Sequence, residues 1–457
     1  ALELRPGQGQ DLARRVIGGM GAAHQTRSPV CTAAAGDREV DVAVIGAGHA
    51  GLNAIKEIRQ QTDNYVLIDR GPLGTTCARV GCMPSKVAIH LADTLHQRHR
   101  FGRMGIAGAD GVGLAAPDAL EHLRELRDTF VDLVLANTTD EMGPDQLIEG
   151  AARFLAPDLL EVNGQRIRAR AVVIATGSSS VVPPLWRQRL GERLLTVDEL
   201  FELETLPAAV AVIGLGPIGI ELGQALSRLG VAVTGFERGP RLARLTDPAI
   251  NAVALQTLQR EFPIHLGAEA RVEAEAYGVR VSAGSHQVKV DAVFCAMGRS
   301  PNLAALGLSG LPVGHDGTGV PVFDPRTLQV ASLPLYLAGD ATGGVASLQA
   351  AAAQGRVAGY NACHTRHCEL LPKTPLHIVF TEPNIATVGA AWAALDHQNI
   401  QVGERRFGPV GRAVIMGQNR GLLRIYADRR DGRLRGAAMI GARCEHLAHL
   451  LAWAIQA

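Results

Sequence analysis

Hydrophobic residues along this chain gather in short β-rich runs that alternate with stretches of helical character. Residues 41–45 form the first run, a glycine-rich turn and a helical stretch to about residue 61 follow, and residues 65–69 form the second run. The same order returns at residues 208–213, in a helical stretch to about residue 229, and at residues 231–236. Strands that alternate with helices predict parallel sheets and therefore an α/β fold class.

The turn after the first strand of each repeat has the spacing Gly-x-Gly-x-x-Gly, and an acid ends the second strand. The acid follows the last glycine by 18 residues in both repeats. Such glycines allow a tight turn, the approach of the backbone to a pyrophosphate and close packing of helix on strand, and the acid can bind a ribose. The chain thus predicts two Rossmann-like dinucleotide-binding domains, one on Gly46, Gly48, Gly51 and Asp69, the other on Gly214, Gly216, Gly219 and Glu237.

Three further apolar runs, at 171–174, 292–295 and 335–338, end in glycine or polar residues. Ligands of open α/β sheets bind beyond the carboxyl ends of the strands, so we expect these residues at a cofactor. Asp340 is expected to meet a polyol or a ribose, although it could instead cap the helix that follows. The residues concerned are Thr176, Gly177, Ser178, Gly298, Arg299, Gly339 and Asp340.

Composition narrows the class of protein. The formal net charge is +1, which gives no electrostatic case for binding nucleic acid or an anionic membrane. No apolar run is long enough to predict a transmembrane helix. Seven cysteines in 457 residues are too sparse for a disulfide scaffold, so we predict a reducing compartment, the cytoplasm, and a catalytic role for any disulfide.

Two of these cysteines, Cys77 and Cys82, follow the first dinucleotide unit with four residues between them. If the segment continues as one helix, the two thiols lie on neighbouring turns of one face and can form a redox-active disulfide. A flavin suits the adjoining unit, because nicotinamide alone does not readily reduce a disulfide, and the second unit then holds the nicotinamide. Glu237 favours NAD over NADP, while Arg238, Arg241 and Arg244 keep the 2′-phosphate form open.

From about residue 39 to 457 the chain resembles the flavin-dependent pyridine nucleotide-disulfide oxidoreductases. The resemblance rests on motifs in the family's order: Cys77-x4-Cys82-x-Pro-Ser-Lys86, the two glycine turns, Ala175-Thr-Gly177, Gly298-Arg-x-Pro-Asn302, Gly339-Asp340 and Thr381-Glu-Pro-Asn-Ile-Ala-Thr-Val-Gly389. Within this family it is most similar to the dihydrolipoamide dehydrogenases. That implies an FAD domain at 39–190 and 311–372, an NAD domain at 191–310 and an α+β dimerisation domain at 373–457. Residues 1–38, which are rich in Gly, Ala, Gln and Arg and lack clear periodicity, are interpreted as an N-terminal extension.

The resemblance also implies roles for individual residues. Cys77 would exchange with the substrate disulfide, Cys82 would form the thiolate that faces the flavin, and Lys86 would sit near the flavin's reactive edge, paired with Glu221. Gly74 and Thr76 would join the residues that bind FAD. The implied activity is oxidation of a lipoyl domain's dihydrolipoamide, in a 2-oxoacid dehydrogenase or related complex, by a homodimer that reduces NAD.

One departure concerns the general base. In this family it is a histidine of a His-Pro motif near the C-terminus, and no His-Pro occurs in this sequence. We expect that a C-terminal tail carrying this His-Pro motif is missing, and we interpret His446 and His449 as ordinary helix residues.

We also expect no metal at Cys363-His-Thr-Arg-His-Cys368, because zinc spacings usually separate two pairs of ligands. The alternatives are a mercuric or glutathione-type reductase, or a catalytically silent flavin-binding subunit.

Overall fold

A computed structural model of the protein describes residues 37–457. The predicted extension 1–38 lies outside the described residues except for its last two. The described residues form twelve α-helices, numbered here in chain order: α1 His49–Ile58, α2 Thr76–Arg79, α3 Cys82–His96, α4 Arg98–Phe101, α5 Ala116–Ala136, α6 Pro184–Leu190, α7 Val197–Leu200, α8 Pro217–Arg228, α9 Pro248–Leu258, α10 Leu348–Cys363, α11 Gly411–Ile415 and α12 Cys444–Gln456.

The strands belong to five sheets. In chain order they are β1 Arg38–Ile45, β2 Tyr65–Asp69, β3 Leu147–Glu149, β4 Ala152–Ala156, β5 Leu159–Val162, β6 Gln165–Ile174, β7 Ser178–Ser180, β8 Leu194–Leu195, β9 Ala209–Ile213, β10 Ala232–Glu237, β11 Ile264–Leu266, β12 Arg271–Ala274, β13 Val279–Ala283, β14 His286–Val290, β15 Ala292–Cys295, β16 Arg299–Pro301, β17 Leu335–Leu337, β18 Leu376–Val379, β19 Asn384–Gly389, β20 Ile400–Arg406, β21 Leu422–Asp428 and β22 Leu434–Gly441.

The first dinucleotide unit is built on a seven-stranded sheet in the order β3-β2-β1-β6-β5-β4, with β17 also paired to β6. Strands β1, β2, β3, β6 and β17 are parallel, and β4 and β5 add an antiparallel edge. The parallel strands are apolar on both faces because both faces are covered. The chain returns to this sheet at β17, after the whole second unit has been made.

The first strand begins earlier than expected. Strand β1 starts at Arg38 rather than at residue 41. Its polar first residues pair with β6 from Arg38 opposite Ile167 onward. An apolar run marks only the buried part of a strand, and the partly exposed start carried no such signal.

The second unit is a five-stranded parallel sheet in the order β11-β10-β9-β15-β8. A three-stranded antiparallel sheet, β12-β13-β14, packs beside it. The C-terminal unit is a five-stranded antiparallel sheet, β18-β19-β22-β21-β20, with α12 against one face. Both parallel sheets and the α+β character of the last unit confirm the predicted fold class.

Helices α1 and α10 cross at very short range in the first unit. A Cβ added at Gly355 would lie 2.1 Å from the carbonyl oxygen of Ala50, and one at Gly359 would lie 2.5 Å from that of Ala54. The two backbones are therefore in contact, and only glycine fits on α10 at these positions. This crossing fixes the helix that follows the first glycine loop.

Candidate active site and cofactor-binding loops

The two cysteines do not lie on one helix, which corrects the sequence-based expectation. Cys77 lies in the single turn α2, and Cys82 is the first residue of α3. Gly81 makes the break: a Cβ there would lie 2.8 Å from the Thr76 carbonyl oxygen and 3.1 Å from the Cys77 Cα. The chain folds back over Cys77 at this glycine and brings the two sulfurs together.

The two thiols have opposite acidities. A hydrogen bond from the Cys77 thiol and the charge of Lys86 together lower the pKa of Cys82 to about 6, against the opposing effect of partial desolvation. The same hydrogen bond and burial raise the pKa of Cys77 well above its ordinary value. Ionisation therefore favours Cys82, with Cys77 as the thiol that donates to it. Cys77 is half-buried and Cys82 is exposed.

Lys86 lies one turn along α3 from Cys82 and forms the expected ion pair with Glu221 of α8. The Lys86 Nζ is 2.8 Å from the Glu221 Oε2. The other carboxylate oxygen of Glu221 accepts the backbone N–H of Phe380 at 2.7 Å, and the Lys86 ammonium lies 4.6 Å from the centre of the Phe380 ring. Three separate segments of the chain thus fix the ammonium group beside Cys82.

A second ion pair joins the same two helices two turns further along. Asp93 of α3 contacts Arg228 of α8 at 2.5 Å, so the pairs Lys86–Glu221 and Asp93–Arg228 repeat at seven residues on both helices with the charges exchanged. Between them, Gln224 exchanges hydrogen bonds with the backbone of Glu382. Sequence reasoning found Glu221 but missed Gln224 and Arg228, although a polar stripe at i, i+3 and i+7 on an otherwise apolar helix was a usable signal.

The three glycines of the first loop have different surroundings. Gly46 has φ +109°, and a Cβ there would lie 2.3 Å from the Ala175 carbonyl oxygen; one at Gly51 would lie 1.9 Å from that of Gly46. At Gly48 the nearest atom is 3.9 Å away. Gly46 and Gly51 are therefore needed for the loop to pack, because a side chain at either position would collide with a backbone oxygen. Gly48 instead leaves open space at the start of α1.

The second loop repeats this pattern. Gly214 has φ +92°, and a Cβ added there would lie 2.4 Å from the Ala296 carbonyl oxygen. A Cβ added at Gly219 would collide with the Gly214 carbonyl oxygen, whereas one added at Gly216 would have no neighbour within 4 Å. Neither α1 nor α8 has a side-chain cap on its first N–H groups. Open space beside uncapped N–H groups fits the pyrophosphate of a dinucleotide at both loops.

The acid of each unit closes its own glycine loop. Asp69 accepts the N–H groups of Ala47 at 2.6 Å and Gly71 at 2.7 Å. Glu237 accepts those of Leu215 at 2.8 Å and Gly239 at 3.0 Å. Both carboxylates are held at the carboxyl end of the second strand of their unit, where a ribose would lie.

The residues beyond β6 form a polar cluster with Asp340. Ser178 donates to the Asp340 Oδ2 at 2.7 Å, and Arg299 donates from Nε to the Ser178 hydroxyl at 2.8 Å. Gly177 and Gly298 flank the two-stranded ribbon β7–β16 that carries Ser178 and Arg299. Thr176 Oγ1 is buried and has no hydrogen-bond partner in the described part of the chain. A buried hydroxyl without a partner fits the polar chain of a bound flavin dinucleotide.

Asp340 does not cap the next helix. It lies in a 3-10 turn at Gly339–Thr342, and Ser347 caps α10 by accepting the N–H of Ala350 at 3.1 Å. Gly339, at φ +71°, packs against Ala50 of α1 and donates its N–H to the Gln354 side chain. The carboxylate of Asp340 therefore does not serve as a helix cap.

Two predicted cofactor residues have structural contacts of their own. Gly74 has φ +102° and faces α5. A Cβ added at Gly74 would lie 2.6 Å from Val131 Cγ1 on that helix. Thr76 is exposed, and its carbonyl accepts the Val80 N–H that closes α2. Their part in FAD binding stays a prediction.

The Cys363–Cys368 segment makes ordinary contacts. His367 lies 2.9 Å from the Tyr336 hydroxyl, and His364 stacks on Tyr360. Within residues 37–457, no three or more His, Cys, Asp or Glu side chains are grouped so that they could hold a metal ion. None of the helices in the same range combines the length and apolarity needed to cross a membrane.

Comparison with known proteins identifies the family. Residues 40–355 match the model for pyridine nucleotide-disulphide oxidoreductases, and residues 376–457 match the dimerisation domain of the same proteins. The chain belongs to the pyridine nucleotide-disulphide oxidoreductases. Enzymes of this family are flavoproteins that bind FAD and a pyridine nucleotide, and the dimerisation domain supports a homodimer.

Relatives of this oxidoreductase include enzymes with two different substrates. It is 30% identical to the dihydrolipoyl dehydrogenase of Bacillus subtilis over 415 residues, 88% of each chain. It is 27% identical to the mercuric reductase of Staphylococcus aureus over 434 residues, 92% of this chain and 78% of the relative. Its fold is that of LpdA from Mycobacterium tuberculosis, with a TM-score of 0.79, 24% identity and coverage of 91% and 93%.

Proposed function

We propose that this oxidoreductase oxidises protein-bound dihydrolipoamide to lipoamide through a Cys77–Cys82 disulfide and reduces NAD to NADH. The observation that carries the proposal is the unequal acidity of two adjacent sulfurs, with Cys82 stabilised as a thiolate beside Lys86. The better leaving group in a disulfide is the thiol of lower pKa. Attack by a substrate thiolate is thereby directed to Cys77.

The exchange consists of two thiol–disulfide displacements in which atoms and electrons balance. A dihydrolipoyl thiolate attacks the Cys77 sulfur, the Cys77–Cys82 bond breaks, and Cys82 leaves as a thiolate. The second substrate thiolate then attacks the substrate sulfur of the mixed disulfide and releases Cys77, which takes up a proton. The substrate leaves as the cyclic disulfide, two electrons poorer, and the cysteine pair holds those two electrons.

Bound FAD would accept the electron pair from the dithiol and pass it as hydride to NAD. The residues proposed to hold FAD are the first glycine loop, Asp69, Thr176, Ser178 and Asp340. The ammonium of Lys86 keeps Cys82 ionised during each cycle, and Glu221 holds that ammonium in place. The second glycine loop and Glu237 would hold NAD.

The preference for NAD over NADP rests on Glu237. Its carboxylate is fixed at the end of β10 by two backbone N–H groups and would repel a 2′-phosphate. Arg238, Arg241 and Arg244 are exposed nearby and are the residues that could favour NADP. We propose that the repulsion at the carboxylate dominates, because it is the group closest to the ribose position.

The test is NAD reduction by dihydrolipoamide, and then by a lipoylated domain, with the FAD-bound protein. Activity should require both cysteines: Cys77→Ser and Cys82→Ser should each abolish turnover. Cys368→Ser, which alters a half-buried cysteine outside the site, is the matched control and should keep full activity. Full dihydrolipoamide activity in Cys82→Ser would contradict the proposal.

Reduction of Hg(II) is a second candidate, favoured by the similarity to mercuric reductases over nine-tenths of this chain. It uses the same thiolate pair, because soft thiolates bind soft metal ions. Hg(II)-dependent oxidation of NADH or NADPH, without activity on dihydrolipoamide, would select this alternative.

A further inference from the structure

A cationic cleft lies at the C-terminal end of α3, which is the end farther from Cys82. It has a volume of about 500 Å³ and is lined by six arginines: Arg98, Arg100, Arg103, Arg228, Arg260 and Arg420. Helix α3 has 15 residues, which separates the cleft from the cysteine pair by roughly 20 Å along the helix. The cleft is therefore distinct from the site of thiol exchange.

The carboxylates of the cleft are already neutralised at its floor. Arg228, with a side chain only 3% exposed, contacts Asp93, Glu261 at 2.6 Å and Glu382 at 2.7 Å. Arg100 makes a second contact to Glu382 at 3.1 Å. Asp93, Glu261 and Glu382 are the acids that contact these arginines, so the six arginines leave an excess of three positive charges.

Three of the arginines have no hydrogen-bond or ion-pair partner in the described part of the chain. Arg103 follows α4, Arg260 follows α9, and Arg420 precedes β21, so three distant segments bring their guanidinium groups to one opening. Burial lowers the pKa of Arg420, and the charges of Arg260 and Arg103 lower it further, while Glu261 raises it. The C-terminal ends of α8 and α9 offset part of the repulsion among these cations.

Unpaired guanidinium groups that converge on a concave site match phosphate oxygens, which they bind through paired hydrogen bonds. The volume of the cleft lies in the range of small-molecule sites. We propose that the cationic cleft is a binding site for a small anion carrying two or more phosphate groups. The floor made by Arg228 and its carboxylates fixes the far end of α3, and the three unpaired arginines supply the contacts.

The test measures binding of inorganic pyrophosphate to the FAD-bound protein by calorimetry at fixed ionic strength. Saturating NAD is present so that the nucleotide loops are occupied. We expect saturable binding that is weakened at least roughly tenfold in the Arg103→Ala/Arg420→Ala double variant, since each charge-assisted hydrogen bond contributes this order of affinity. Orthophosphate should bind more weakly than pyrophosphate, and Arg420→Lys should keep part of the affinity.

Arg271→Ala is the matched control, because Arg271 is also exposed and without a partner among the described residues but lies on β12, away from the cleft. It should bind pyrophosphate like the unmodified protein. Binding that is absent, or that survives unchanged in the double variant, would overturn the proposal. It would also fall if the double variant lost its dimeric state, because the arginines would then serve the subunit interface.

Discussion

At the scale of single residues, the charge on Cys82 depends on a hydrogen bond from Cys77 and on two neighbours of opposite sign. The pKa of Cys82 is lowered by Lys86 and raised by Glu221, which lies on the far side of the ammonium. The hydrogen bond from Cys77 has the largest effect of all. The site therefore permits a test in which two substitutions shift one titration in opposite directions.

Replacing Lys86 by Met should raise the midpoint at which Cys82 ionises, and Glu221→Gln should lower it, from the value of about 6. The measurement is the pH dependence of iodoacetamide alkylation at Cys82 in the reduced protein, followed by peptide mass spectrometry. Lys373→Met, at an exposed lysine outside the site, should leave the midpoint unchanged. Shifts of the same sign in Lys86→Met and Glu221→Gln would contradict this electrostatic account.

Nucleotide choice is a second prediction at this scale. Glu237→Ala should raise kcat/KM for NADP by roughly ten- to a hundredfold relative to NAD, because a like charge beside the 2′-phosphate is removed. Glu273→Ala, at an exposed acid of the neighbouring sheet, is the control. A ratio that stays constant in Glu237→Ala would show that the carboxylate does not discriminate.

The sequence identified the two sulfurs but not their arrangement. A continuous helix was the simplest expectation for the segment, and Gly81 ends it because only a residue without a Cβ can pass so close to Thr76. In a chain with 52 glycines, the sequence does not show that this one ends a helix. The contact that forces the break comes from the chain folding on itself, which periodicity does not record.

At the scale of elements, helices α3 and α8 are joined by two ion pairs of reversed polarity. The Arg228 side chain is almost fully buried and contacts three carboxylates. Removing one partner of a buried ion pair leaves uncompensated charge and costs about 3–5 kcal/mol.

Arg228→Met should accordingly lower the free energy of unfolding by about 3–5 kcal/mol in urea titrations. Arg280→Met, which breaks an exposed pair with Glu275, should have a much smaller effect. Equal effects of the two substitutions would mean that the Arg228 cluster is not a buried network.

The crossing of α1 and α10 gives a sharper steric prediction. Gly355→Ala should destabilise the protein by several kcal/mol in the same assay, because its Cβ would lie 2.1 Å from a backbone oxygen. Gly411→Ala is the control: it begins a helix and has no atom within 4 Å of the added methyl. A neutral Gly355→Ala would show that the helices can separate without loss.

At the scale of the whole molecule, the repeat of strand, glycine loop, helix and strand predicted both parallel sheets with little error. Long-range pairing was harder to foresee. Strand β17 returns to the first sheet after 160 intervening residues of other structure, a return that only the family resemblance implied. Strands β19 and β20 of the last sheet carry too mixed a pattern to be found. Sheet partners are chosen by tertiary packing, which local hydrophobicity does not encode.

Association of two subunits should depend on the outer face of α12. Leu450 is 60% exposed and Trp453 is 74% exposed, while the opposite face of the helix packs on the sheet. Leu450→Glu/Trp453→Glu should shift the protein from dimer to monomer in sedimentation velocity, because it places charge on an apolar contact. Leu371→Glu, at an equally exposed leucine outside the dimerisation domain, should remain dimeric; dissociation of this control instead would argue against a specific interface.

The central claim is that Cys77 and Cys82 act with a flavin as one electron store. Anaerobic titration of the oxidised, FAD-bound protein with NADH measures this directly. We expect two NADH molecules per flavin for the unmodified protein, one for the disulfide and one for the flavin, and only one in Cys82→Ser. Uptake of a single NADH by the unmodified protein would contradict the claim.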